Sequence, residues 1–326
     1  MKLNRHLHPE VVEMLNAAAE LAATGTPSLW DIPVEKARIG ASAKAKVWNA
    51  GHVDGVLFDD LRIDVDGRQV NVRHYRPVAR SSTNGAIVYS HGGGWIVGNL
   101  DFEHLKLLKL CAWSGLDIVS IDYTLAPEHP YPEPRDDVEA VARHIQSRAE
   151  VFAIDRNRLA IGGASAGANL ALSSALALRD SGIALRAIAL FYGVYDLRFA
   201  HPSYVENATG LVLETRAMEY FRSLYVGTDP TNWTDPGASP GLAKLEGLPP
   251  VFLNAVTNDP LFDDSRALEK RLTQAGVTHE LHEYADTIHG FTSMSAVLPH
   301  ADLAIREAAI WLENQLAVGD CQGKCP

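Results

Sequence analysis

From residue 86 to residue 284 the chain alternates between two patterns. Short apolar runs recur: AIVYS (86–90), DIVSIDY (117–123), RLAIGG (158–163), AIALFY (187–192), VFLNAV (251–256) and THELHEY (278–284). Between them lie longer segments with helical spacing of apolar residues: DFEHLKLLKLCAWSG, DDVEAVARHIQSRAE, ANLALSSALALRDSG and DSRALEKRLTQAG, with ADLAIREAAIWLENQLA at the end. The short runs read as strands and the longer segments as helices. Such alternation predicts a parallel sheet with helices on both faces. Upstream, VLFDDLRIDV and QVNVRHYRP alternate apolar and polar residues around Asp66-Gly67, the pattern of a hairpin. The hairpin brings the expected sheet to eight strands.

Two regions fall outside this rhythm. In HPEVVEMLNAAAELAAT, residues Val11, Val12, Leu15, Ala18, Ala19 and Leu21 lie near helical spacing, and Gly25 and Pro27 end the run. A second helix is expected over VEKARIGASAKAKVWNA. The other region is the connection from residue 198 to 250, too long for a plain loop. It holds a helix candidate, LETRAMEYFRSLYVG, and the Pro/Gly/Asp-rich stretch TDPTNWTDPGASPG. An insertion of that size is expected to work as a lid.

Composition narrows the class. The chain has 326 residues, 47% hydrophobic and 21% charged, an ordinary globular balance. A net charge of -11 argues against nucleic acid as a partner. No apolar run approaches the roughly 20 residues of a membrane-spanning helix. The start, MKLNRHLHPEVVEML, lacks the apolar core of a signal peptide, so a cytoplasmic location is expected. Three cysteines do not make a disulfide framework. Cys321 and Cys325, in the tail VGDCQGKCP, are too few for a metal site. NAT at Asn207 and NWT at Asn232 match glycosylation acceptors, which carry no meaning without secretion.

The chemistry centres on GGASAGANLA. Ser165 lies between Gly163 and Gly167, where a strand hands over to a helix. This is the context of a nucleophile elbow, in which glycines relieve a sharp turn and the hydroxyl is lifted above the sheet. The helix N-terminus beneath Ser165 favours developing negative charge. SHGGGWIVG follows the strand AIVYS, and Gly92 to Gly94 offer backbone N–H groups just past its carboxyl end. A phosphate-cradling loop is the competing reading, but neither G-x-G-x-x-G nor a following Gly-Lys-Ser/Thr is present.

A serine hydroxyl needs a base, and the base needs an orienting carboxylate. In this fold they follow the serine in the order acid, then histidine. Asp259, in NAVTNDPLFDD, falls just past the seventh strand, and His289, in HEYADTIHGF, just past the eighth. Asp263 and Asp264 compete as acids but read as the N-terminal cap region of the following helix. Asp286 competes as well and reads as a solvated residue. His91 precedes the serine and reads as a loop-holding residue.

HGGGWIVG, DYTLAPEHPYP, GGASAGANLA, NDPLFDD and IHGF, in this order, resemble the bacterial hormone-sensitive-lipase family of α/β-hydrolase esterases. The resemblance covers most of the chain after Val53. It implies Ser165 as nucleophile, Asp259 as orienting acid and His289 as base, with the N–H groups of Gly93, Gly94 and Ala166 as oxyanion donors. Three positions depart from the family: Ala164 replaces an acidic residue, Ala168 a glycine and Thr124 an arginine. The implied fold is an α/β-hydrolase fold with a helical cap.

The expected division is a cap over residues 1–48, helped by the 200–237 insertion, a catalytic domain over 49–318 and a flexible tail over 319–326. The apolar stripe of the first helix is expected to cover the mouth above Ser165. The expected function is a carboxylesterase acting on short- to medium-chain acyl esters through an acyl-enzyme, with no metal and no cofactor. The expected partner is a small ester, and a homodimer stays open. An amidase, deacetylase or lactonase would use the same triad. A small-molecule receptor on a hydrolase scaffold is disfavoured because the histidine is present.

Overall fold

All eight expected strands form, and they join one sheet. The computed structural model describes residues 6–79 and 83–317, so the expected tail with Cys321 and Cys325 lies outside the described residues. The strands are β1 (Val56–Val65), β2 (Arg68–Pro77), β3 (Asn84–Ser90), β4 (Asp117–Asp122), β5 (Ile154–Ala164), β6 (Ala187–Phe191), β7 (Val251–Val256) and β8 (His279–Tyr284). Their order is β1-β2-β4-β3-β5-β6-β7-β8. The β1/β2 and β2/β4 pairs are antiparallel, and every later pair is parallel. The chain runs from β3 outward to β4 and then crosses back to β5. The carboxyl ends of β3 and β5 therefore flank the switch point, where sheets of this kind form their crevice.

The central strands are apolar on both faces. Along β3, Ala86 and Val88 join one buried cluster while Ile87 and Tyr89 join the other, the two-residue period of a strand. Helices α4 (Glu133–Ser147), α5 (Ala166–Asp180) and α8 (Phe262–Gln274) supply the first cluster, through Val138, Leu170 and Leu268. Helices α3 (His104–Ser114) and α9 (Ala301–Leu316) supply the second, through Leu107 and Ile305. No helix of the described residues is long and apolar enough to cross a membrane.

The N-terminal helices α1 (Pro9–Ala23) and α2 (Val34–Trp48) form as expected. The apolar stripe of α1, however, is buried through Val11 and Leu15, in the cluster that also holds Ile288, Phe291 and Leu298. Helix α2 is pinned by Arg38, which donates to the carbonyls of Ile96 (2.8 Å) and Ala126 (2.9 Å). The long insertion carries α6 (Ser203–Glu206) and α7 (Thr215–Tyr225).

Asp263 and Asp264 do not cap α8 with their side chains. Asp263 accepts from the Ser203 N–H at 3.0 Å, and Asp264 Oδ1 accepts from the N–H groups of Tyr195 and Asp196 at 2.9 and 3.0 Å. Both tie the chain after β6 to α8, contacts across sixty or more positions that local spacing does not reveal. Asp286 pairs with His8 at 2.9 Å.

Asp264 is fully buried, and burial pushes its carboxyl up from 3.8 to about 7, with the carboxylate of Asp196 adding to the rise. The Tyr195 and Asp196 N–H groups and the Tyr204 hydroxyl oppose it. Between those two values the folded chain holds a proton that the unfolded chain has released. Stability from this group is present below 3.8 and is lost as pH rises through about 7, at up to about 1.4 kcal/mol per pH unit. Asp264→Asn keeps an acceptor for the two N–H groups and cannot titrate. Urea midpoints at pH 5 and pH 7.5 should therefore differ less in D264N than in the parent chain. Equal differences in both would refute the assignment.

Candidate active site

Ser165 is the single residue between the last position of β5 and the first of α5, at φ 54° and ψ -120°. A residue with a Cβ adopts such angles only when its surroundings impose them. Here the Ser165 N–H donates to the Phe191 carbonyl at 2.9 Å. A Cβ at residue 163 would overlap the Gly167 carbonyl, and one at residue 167 would overlap the carbonyls of Ser90 and His91. Glycine is thus required on both sides.

The elbow aims the Ser165 hydroxyl at the loop after β8. His289 Nε2 lies 2.9 Å from Ser165 Oγ, and His289 Nδ1 lies 2.6 Å from Asp259 Oδ2. Asp259 is buried, with Oδ1 accepting from the Leu261 N–H at 2.9 Å. The Asn207 amide donates to the carbonyls of Thr257 (3.0 Å) and Asp259 (2.9 Å), so this buried side chain braces the Asp259 turn and is not an open glycan acceptor. The Tyr192 ring meets the His289 imidazole edge-on at 5.0 Å, and its hydroxyl lies 2.6 Å from Thr292 Oγ1. Of the acidic candidates, only Asp259 hydrogen-bonds to His289 among the described residues.

The glycine loop faces this chain of bonds. The Tyr123 hydroxyl donates to the His91 carbonyl at 2.8 Å, and His91 Nδ1 lies 2.6 Å from the Gly92 carbonyl. Burial pushes the His91 imidazole down, which leaves it neutral with its proton on Nδ1. A trans peptide opposes its C=O and N–H. With the Gly92 carbonyl turned to His91, the Gly93 N–H points the other way. Gly93 and Gly94, at φ 121° and 59°, line the same cavity as Ser165 and His289.

That cavity measures about 170 Å³. Its apolar wall includes Trp48 at the end of α2, Phe102, Val212, Leu213 and Phe221 of the insertion, and Met294. None of the lining residues comes from α1. The expected cover over the mouth is thus absent from this helix, because its stripe is spent on the cluster behind the His289 loop.

One charged group in the wall escaped the sequence reading. Glu103 lines the cavity and is buried beside Lys106 and Tyr89, both fully buried. Burial pushes the Glu103 carboxyl up, but the Lys106 charge and the Tyr89 and Gly92 donors outweigh it and hold the group below its ordinary value. The available signal was a lysine among the leucines of HLKLLKL, three residues after a glutamate. The lining residues Trp48 and Phe221 were missed as well, since nothing in their local pattern marks them.

His8, Glu10 and His300 are a possible metal-ligand group among the described residues. The His8 and His300 rings are stacked, with centroids 3.9 Å apart and planes at 13°. In-plane lone pairs on two such rings cannot converge on one ion without a rearrangement.

A family profile described as the alpha/beta hydrolase fold matches residues 87–293. The chain is 35% identical to the carboxylesterase NlhH of Mycobacterium tuberculosis over 255 residues, which are 75% of this chain and 80% of that protein. Among solved structures, it resembles the ester-hydrolase EH1AB1 from the Lake Arreo metagenome with a TM-score of 0.91 at 33% identity, over 96% of this chain and 100% of that one. A thermostable esterase from Pseudomonas putida gives 0.90 at 28% identity, over 96% and 99%. The sheet order, the strand-ending glycine loop and elbow, and these relatives agree: the chain belongs to the hormone-sensitive-lipase-like esterases of the alpha/beta hydrolase fold and is a carboxylic ester hydrolase.

Proposed function

We propose that Ser165, His289 and Asp259 form the catalytic triad of a carboxylesterase for compact acyl esters. The observation that carries this reading is the unbroken pair of hydrogen bonds from Asp259 through His289 to Ser165 at the cavity wall. His289 Nε2 takes the proton from Ser165 Oγ as the oxygen attacks the ester carbonyl. The same proton then passes to the departing alcohol. Water then attacks the acyl carbon and gives a proton to His289, which returns it to Ser165 Oγ as the bond to the acyl group breaks and the acid leaves. Every proton passes through His289, and the cycle balances with ester and water alone.

The oxyanion is received by the N–H groups of Gly93, Gly94 and Ala166. Ala166 is the first residue of α5, where N–H groups lack intrahelical partners and the helix dipole is positive. The cavity of about 170 Å³ is close to the roughly 150 Å³ that encloses a benzene molecule. It suits an acyl group of about that size. The cap is built from the 200–237 insertion and the end of α2. The described part of segment 1–48, residues 6–48, otherwise buttresses the catalytic domain.

Ser165→Ala should lower kcat by about 10⁶ and Asp259→Asn by about 10⁴, with both proteins folded by circular dichroism. A p-nitrophenyl phosphonate should inactivate the parent chain, releasing p-nitrophenolate and adding the mass of its phosphonyl group to Ser165. Near-parental turnover in Ser165→Ala would refute the triad.

A series of p-nitrophenyl esters, read beside a matched anilide, should peak at short to medium chains and show little anilide cleavage. Phe221→Ala removes a wall of the cavity and should move the optimum to longer acyl chains. Each further buried methylene is worth at most about 0.8 kcal/mol, or close to fourfold. An unmoved optimum would mean that the acyl group lies elsewhere.

A further inference from the structure

Glu103 lies in the wall of the cavity that holds Ser165 and His289, yet it has no part in the proton transfers. We propose that Glu103, anchored by Lys106 and Tyr89, is a positioning residue for the oxyanion loop. The inference rests on the oxyanion reading given above and deepens it.

Both carboxylate oxygens are committed. Oε1 accepts from the Gly92 N–H at 2.9 Å. Oε2 accepts from Lys106 Nζ at 2.9 Å and from the Tyr89 hydroxyl at 2.7 Å. Lys106 also donates to the Tyr89 hydroxyl at 2.5 Å, and its ammonium stands 3.9 Å from the centre of the Phe191 ring. Phe191 is the residue whose carbonyl receives the Ser165 N–H. One buried cluster therefore touches β3, α3, the end of β6, the serine elbow and the glycine loop.

Stability alone does not account for this cluster. A buried ion pair loses hydration on both partners, and apolar replacements of similar size are often as stable or more so. A leucine in place of Glu103 would pack but would leave the Gly92 N–H without an acceptor. Three successive glycines have no side chains to hold their peptides. The loop is instead held by Tyr123 on the His91 carbonyl, His91 on the Gly92 carbonyl, and Glu103 on the Gly92 N–H. The last of these fixes the peptide preceding Gly92 from the cavity side. With both peptides that flank Gly92 held, the direction of the Gly93 N–H is set before the substrate arrives.

The test compares two double variants that both delete the buried charges. E103L/K106M removes the acceptor for Gly92, whereas E103Q/K106M retains an amide oxygen there. Donors that act on the oxyanion work in the transition state. E103L/K106M should therefore lose about 10- to 100-fold in kcat, with KM nearly unchanged. E103Q/K106M should recover most of that loss. Inhibition by a trifluoromethyl ketone, which forms a tetrahedral oxyanion on the serine, should weaken in step with kcat/KM. Equal losses in the two variants, an intact kcat in E103L/K106M, or a raised KM with kcat retained would each overturn the proposal. None of those outcomes touches the triad, which Ser165→Ala judges separately. If E103L/K106M does not fold, Tyr89→Phe takes its place, since it removes only one donor to Oε2. A kcat reduced about threefold to tenfold at constant KM is then expected, and an unchanged kcat overturns the role.

Discussion

The carbonyl oxygens of Ser90 and His91 occupy the space in which a side chain at residue 167 would begin. This approach of two backbones is the constraint on which the rest of the site depends. It presses the first turn of α5 against the end of β3, and the Ser90 hydroxyl seals the contact by donating to the Gly167 carbonyl at 2.9 Å. The elbow and the glycine loop are consequently packed as one unit. Neither could be shifted by even a methyl group without separating the nucleophile from the proposed oxyanion donors. Close packing of this kind tolerates no added carbon. The strain at Ser165 and the left-handed turn at Gly93 are held from outside by the sheet, rather than by the residues themselves.

The polar groups around that contact follow from its burial. A peptide that lies this deep must have its donors and acceptors met. The loop meets the requirement with His91, Tyr123 and Glu103, and Glu103 in turn needs Lys106. The chain after β6 solves a similar problem differently. Two of its N–H groups share one oxygen of Asp264, a carboxyl that burial keeps near neutrality. Thr124 provides a third case. Where the family has arginine, its N–H and hydroxyl both donate to the buried Asp137, and Arg68 supplies the charge from β2 at 2.9 Å.

What could be read from the chain divides along the same physical line. The strands were legible in two ways: β1 and β2 alternate apolar and polar residues around Asp66-Gly67, and the later six read as short runs between helical segments. Ser165, Asp259 and His289 were legible because each follows a strand directly, so strand order alone brings them to one edge of the sheet. Glu103 was not, because its role depends on Gly92, Tyr89 and Lys106 meeting in space. Asp263 and Asp264 looked like caps because they open a helix, and the competing partners, Ser203 and Tyr195, lie far away in sequence. The lining from Val212 to Phe221 was legible only as an insertion, since a lid segment need not match the period of the sheet it covers.

Helix α1 shows how a correct local reading can carry a wrong destination. Its apolar stripe did require burial, and Val11 and Leu15 are buried. Amphipathicity states that a face must be covered, but it is silent on which surface does the covering. The polar contacts at the start of α1 decide the matter. His8 donates its N–H to the Asp286 carbonyl at 2.9 Å, pairs with the Asp286 side chain, and stacks on His300. His300 in turn lies 2.9 Å from the Thr287 hydroxyl. These contacts grip residues 286 and 287, immediately before His289. The helix therefore stands behind the loop that presents the imidazole, and it bears on the site through the position of His289 rather than through the walls of the cavity.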